Sequence, residues 1–180
     1  MKLKQILLAG IAAGAANMAM AATSGTITFT GQVVADTCDI FVNGGPGTTV
    51  TLPTVQKNTL AVSGNRGGQT DFTLDITDCG AAVDARGITL TLTPNSYDTT
   101  NDNFLANTAT GVVASNVAIE LSTGKGASTS AIAFGGAPYV TQPTISSGAA
   151  SLDFSASYVA TDVADAGAVS HVLGWNIVYN

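Results

Sequence analysis

Seven short stretches of this chain are rich in β-branched and aromatic residues and alternate in polarity: 26–34, 48–53, 69–77, 87–93, 112–122, 150–160 and 171–179. A period of two places one face of a strand against a core and the other toward water. Between the stretches lie NGGPG, SGNRGG, TPNSYDTTNDN, GKGAS, FGGAP and ISSG, the residue types that turns require. Beyond the N-terminal segment no stretch sustains the three-and-four apolar spacing of a helix, although 160–168 suits either one helical turn or a loop. The pattern predicts an all-β domain, an antiparallel sandwich of immunoglobulin type. Antibody-like domains carry a Trp between their two cysteines, whereas here Trp175 lies far beyond Cys79.

The first 21 residues read differently. Lys2 and Lys4 precede an apolar run from Ile6 to Ala16, and Ala19-Met20-Ala21 ends it with small residues, the organisation of a secretory signal peptide. That run falls short of the roughly 20 apolar residues needed to span a bilayer. Cleavage between Ala21 and Ala22 is expected to leave 159 of the 180 residues as a single domain. Export places Cys38 and Cys79 in an oxidising compartment, where an even pair reads as a disulfide. A metal site at these cysteines lacks ligands, because the chain has one His and no CxxC.

Charge narrows the partners. Without Lys2 and Lys4 the basic residues are Lys57, Arg66, Arg86 and Lys125 against 12 acids, so the formal net charge goes from −6 to −8. Four scattered cations make no phosphate-binding patch, which excludes nucleic acid as a partner. Charged residues are only 10% of the chain, against about 25% in ordinary soluble domains, so Thr, Ser, Asn and Gly must build the surface. No catalytic constellation emerges and no cofactor is expected. His171 is the sole imidazole and lies in an alternating stretch without a nucleophile elbow, the setting of a strand histidine with a satisfied hydrogen bond. Neither SGNRGG nor STGKGAS fits a phosphate-binding loop.

TFTGQVVADTC, DFTLDITDCG, FSASYVA with Phe154, Ala156 and Tyr158, the terminal NIVYN with a penultimate tyrosine, and Gly167 fourteenth from the C-terminus occur together. In this combination, across the whole chain after the signal segment, the sequence resembles the chaperone–usher pilus subunits, especially the major subunits of type 1 fimbriae.

The resemblance implies an incomplete immunoglobulin-like β-sandwich of six strands whose seventh is supplied in trans. Pilin donor-strand complementation is an established instance of strand addition. It implies three segments: the signal peptide 1–21, a donor extension 22–31 and the pilin domain 32–180. Thr23, Gly25, Ile27 and Phe29 form the inward row of the donor. Gly167, Leu173, Trp175, Ile177 and Tyr179 belong to the acceptor groove and the chaperone-binding surface. Cys38–Cys79 staples the start of the first core strand to the end of the strand at 69–77. Other fimbrial subunits, a periplasmic chaperone and an outer-membrane usher are the implied partners, and the surface fimbria, used in adhesion, is the destination. The same motifs suit a minor tip or adaptor subunit. A stand-alone secreted adhesive or carbohydrate-binding sandwich is the alternative from another class.

Overall fold

A computed structural model describes residues 37–45, 49–80, 83 and 87–180. Residues 1–36 lie outside that set, and with them the cleavage site and the donor row Thr23, Gly25, Ile27 and Phe29.

The described chain forms β1 (Asp39–Val42), a single 3₁₀ turn (Lys57–Leu60), β2 (Arg66–Thr77), β3 (Ile88–Pro94), β4 (Val117–Lys125), β5 (Ser128–Ala131), β6 (Tyr139–Thr141), β7 (Ala150–Ala160) and β8 (Leu173–Tyr179). All named strands pair antiparallel, in a five-stranded sheet β1-β2-β7-β4-β5 and a three-stranded sheet β6-β3-β8. This is the expected all-β sandwich.

Alternation accounts for the long strands. In β3 the residues Ile88, Leu90 and Leu92 are buried while Thr89, Thr91 and Thr93 turn away. Between the sheets Leu74, Leu90, Leu92, Leu121, Phe134 and Phe154 form the main core. Phe72 and Phe154 face each other across β2 and β7 with ring centroids 5.6 Å apart. Burying each such side chain contributes about 1.5–3 kcal/mol.

One irregularity has a visible cause. The β2–β7 register shifts between Gly67 and Thr70, where Gly68 adopts φ +67° and a Cβ would press on the Tyr158 ring. Only glycine combines that backbone with that closeness, so a bulge forms there.

Three expectations change. The described part of the stretch 48–53 is not a strand: Leu52 packs on the core with no partner strand among the described residues, and Pro53 has no N–H to donate. The stretch 112–122 becomes a strand only from Val117, because Asn116 takes φ +57° and Val112 is left exposed. His171 sits just before β8 and not within it. β1, β5 and β6, each of four residues or fewer, had no signal of their own. GKGAS holds a turn as expected, a hairpin in which β4 runs through Lys125 and only Gly126–Ala127 connect it to β5.

Candidate functional site: the open edge of the last strand

β8 lies at the border of its sheet, paired with β3 on one side and, among the described residues, with no strand on the other. The register sets Trp175 opposite Leu92 and Ile177 opposite Leu90. Asn95 N–H donates to the Val172 carbonyl (3.2 Å) and Asn180 N–H to the Gly87 carbonyl (3.2 Å). Those two bonds assign the even-numbered residues of this stretch to the hydrogen-bonded pairs with β3. In an antiparallel ladder the alternate residues then aim their backbone groups the other way. The N–H and C=O groups of Leu173, Trp175, Ile177 and Tyr179 thus point at the open edge, while their side chains face inward.

Inward, yet incompletely covered: Leu90 is 0% and Leu92 4% exposed, but Trp175 beside them is 50% exposed. Leu173, Ile177 and Tyr179 are half-buried. The core is sealed over β3 and open over β8. An apolar row next to unpaired backbone groups is the arrangement that accepts an added strand.

The start of β1 lies against the C-terminal end of this row. Cys38 N–H donates to the Tyr179 hydroxyl (2.8 Å), and Cys38, Ile40, Ile177 and Tyr179 pack on the cluster around Ile76 and Ile88. The Cys38–Cys79 disulfide, with Cα atoms 4.2 Å apart, joins the residue just before β1 to the segment just after β2. Asp75 fixes the other end of β1: its carboxylate accepts from Ser151 Oγ (2.6 Å), Thr73 Oγ1 (2.8 Å) and Gly44 N (2.8 Å). The Ser151 bond foremost, then those of Thr73 and Gly44, hold its carboxyl below the ordinary range against a desolvation cost.

Gly167 is not on β8. It lies where chain 166–168 crosses 112–114, with Ala114 N donating to Ala168 O (3.0 Å) and Ala168 N to Val112 O (2.8 Å). A Cβ on Gly167 would run into the backbone of Val113 and Ala114. Beside it a cavity of about 240 Å³ is lined by Val55, Leu60, Val117, Tyr158 and Val169, with Lys57 and Asp165 also at its wall. Val169 packs on the main core as well as on the cluster under this cavity. Parity along 169–179 could have drawn attention to Val169, since it shares the odd-numbered row of the groove residues. The other walls come from remote segments: Tyr158 and Val117 lie in stretches legible as strands, whereas Val55 and Leu60 had no sequence signal.

His171 Nδ1–H donates to the Ala106 carbonyl (2.9 Å), which leaves Nε2 of the neutral ring unprotonated, buried and, among the described residues, without a partner. Burial holds this imidazole below its ordinary range against the pull of the Ala106 carbonyl. Among the described residues no three His, Cys, Asp or Glu side chains gather in a metal-binding group.

A family model described as "Fimbrial protein" matches residues 27–170. The chain is 36% identical to the major fimbrial subunit SMF-1 of Stenotrophomonas maltophilia, over 92% of this chain and 98% of that one. It is 37% identical to the F17 fimbrial protein of Escherichia coli, over 94% of this chain and 95% of that one. The fold is similar to the crystal structure of a type I fimbria protein and antigen of Burkholderia pseudomallei, with TM-score 0.56, 22% identity, and coverage of 79% of this chain and 99% of that one. It is likewise similar to the P pilus rod subunit PapA, with TM-score 0.58, 18% identity, and coverage of 79% and 99%. This chain belongs to the fimbrial protein family, and it is a structural subunit that assembles with other pilus subunits into a surface fimbria.

Proposed function

We propose that the chain polymerises by donor-strand exchange, residues 22–31 of one copy filling the groove beside β8 of the next. The observation that carries this reading is Trp175, an inward-facing residue that is half exposed at an edge whose backbone groups have no partner among the described residues. Thr23, Gly25, Ile27 and Phe29 recur at every second position, the same period as Leu173, Trp175, Ile177 and Tyr179. At about 3.3 Å per residue an extended segment 22–31 is about 33 Å long, against about 23 Å for the seven residues of β8. The donor is thus long enough to cover β8 and reach past one end of it. Burial of Ile27 and Phe29 contributes about 1.5–3 kcal/mol each, and the strand ladder adds modest increments per hydrogen bond.

Before assembly the same edge is the surface for a periplasmic chaperone, which keeps the groove covered until the subunit reaches an outer-membrane usher. Residues 1–21 direct export and are removed between Ala21 and Ala22, and residues 32–180 form the pilin domain. The joint is heterologous and does not close on itself, so repetition generates a filament.

The test is to express the chain in the periplasm with and without its cognate chaperone. Aggregation or degradation without the chaperone, and a soluble complex with it, is the expected outcome; a subunit that stays soluble and monomeric at high concentration without it would refute an open groove. Deletion of residues 22–30 should leave a subunit that binds chaperone but cannot donate. Normal polymerisation of that truncation would show that another segment is the donor.

A further inference from the structure

The three-stranded sheet has an outer face of unusual chemistry. Thr89, Thr91 and Thr93 run along its centre, Val140 stands beside Thr91 on β6, and Asn176 and Val178 oppose Thr91 and Thr89 on β8. No residue of β3, β6 or β8 is charged. Val140 is 56% and Val178 54% exposed. The outer face of the five-stranded sheet is the opposite: it carries Asp71 and Asp75 together with the ion pairs Arg66–Glu120 and Lys125–Asp153.

Self-association of an acidic chain selects between these faces. With four cations against 12 acids after Ala22, like copies repel wherever charged surfaces approach within about 8–10 Å. The β6-β3-β8 face is where that repulsion is least. Its β-branched side chains form a flat surface, and sheets pack face to face at about 10 Å.

The donor strand widens this face. A donor that turns Thr23, Gly25, Ile27 and Phe29 inward turns Ser24, Thr26, Thr28 and Thr30 outward, by simple alternation. Added beside β8, it extends the threonine surface by a fourth uncharged strand. We propose that this outer face is a lateral contact through which copies in neighbouring filaments meet face to face, so that the fimbriae bundle. The inference rests on the donor-strand reading.

Size explains why the contact belongs to filaments. β3 and β8, each about 23 Å long, a donor stretch of the same length and the short β6, all about 4.8 Å apart, cover roughly 400 Å² per partner, half of the roughly 800 Å² that a stable pair of proteins buries on each side. Two free subunits therefore do not pair. A filament repeats the patch at every subunit, and many weak contacts held in register add as avidity. Copies within one head-to-tail filament are related by a polar screw operation with no two-fold axis, so a contact that pairs this face with itself requires a second filament.

The experiment compares fimbriae sheared from cells bearing wild type, Val140→Asp, Thr91→Lys or Val163→Asp. Filaments per bundle are counted by electron microscopy, and the low-speed sedimenting fraction is measured at about 0.15 M and about 0.01 M salt, where the screening length is about 8 and about 30 Å. Wild-type filaments should bundle at the higher salt and separate at the lower. Val140→Asp, remote from the β8 edge, should form filaments with at least a five-fold smaller sedimenting fraction. Thr91→Lys reads the same loss from a second strand. Val163→Asp, a new charge on an exposed loop residue outside this face, should bundle as wild type. Single wild-type filaments at both salts, or on-face variants that bundle fully, would overturn the lateral contact while leaving the donor-strand reading intact. Absence of any wild-type filament would overturn both.

Discussion

Trp175 is the chain's only tryptophan, so one substitution and one fluorescence signal address the same residue. A covered Trp buries about 150–250 Å². With half of the residue exposed in the free subunit, filling the groove removes roughly a further 100 Å² from water, about 2.5 kcal/mol at 25 cal/mol per Å². Trp175→Ala should therefore cost about 2.5 kcal/mol in a chain of residues 32–180 with the groove empty. It should cost about 5 kcal/mol when residues 22–31 are appended after Asn180 through a short flexible linker, because both halves of the burial are then lost. Urea unfolding of the four proteins at high dilution, where copies do not associate, gives the two costs and their difference. A difference of about 2.5 kcal/mol is close to a 70-fold change in donor affinity. In the unsubstituted pair the emission maximum should move to shorter wavelength when the donor is appended. Equal costs within about 0.5 kcal/mol in the two forms, or an unmoved emission maximum, would refute the reasoning, because Trp175 would then be no more covered with the donor than without it.

Gly167→Ala should destabilise the domain by about 2 kcal/mol or more, since the added methyl meets the backbone of Val113 and Ala114 and must break the crossing at Ala168; a urea midpoint within error of wild type would refute this. Arg66 Nε and Nη2 hold the buried Glu120 carboxylate at 2.6 Å each. Arg66→Ala should therefore cost about 3 kcal/mol by stranding that charge, and Arg66→Met with Glu120→Leu should cost distinctly less in the same assay. Asp75→Asn should cost about 1 kcal/mol at neutral pH by weakening bonds to an ionised acceptor at a partly exposed site. Because the folded carboxyl lies below its unfolded value of about 3.9, this contribution is present above that pH and lost as pH falls through the folded value. Stability curves of wild type and Asp75→Asn should converge in acid, and parallel curves down to the lowest pH would refute the assignment.

Local pattern located the sandwich because its long strands each have one face in the core. The period of two in DFTLDIT, GITLTLT, FSASYVA and LGWNIVY needs only neighbouring residues to be legible, and β2, β3, β7 and β8 formed there. β1, β5 and β6 were silent because strands of four residues or fewer gain their hydrogen bonds from a neighbour, not from their own composition. The stretch 48–53 misled for the converse reason: a β-rich composition forms a strand only against a partner, and among the described residues 49–53 pairs with none.

For this protein the sequence by itself determined the all-β class, the alternation of Leu173, Trp175, Ile177 and Tyr179, and the pairing of its two cysteines. Each is carried by periodicity or by the chemistry of an exported chain. Only the tertiary structure decided that β8 borders its sheet, that Trp175 is half uncovered while Leu90 and Leu92 beside it are sealed, and that Gly167 serves a backbone crossing ahead of β8. The physical reason is that exposure depends on which strands are neighbours in space. Alternation assigns a side chain to a face, but only the order of strands in the sheets says whether anything covers it.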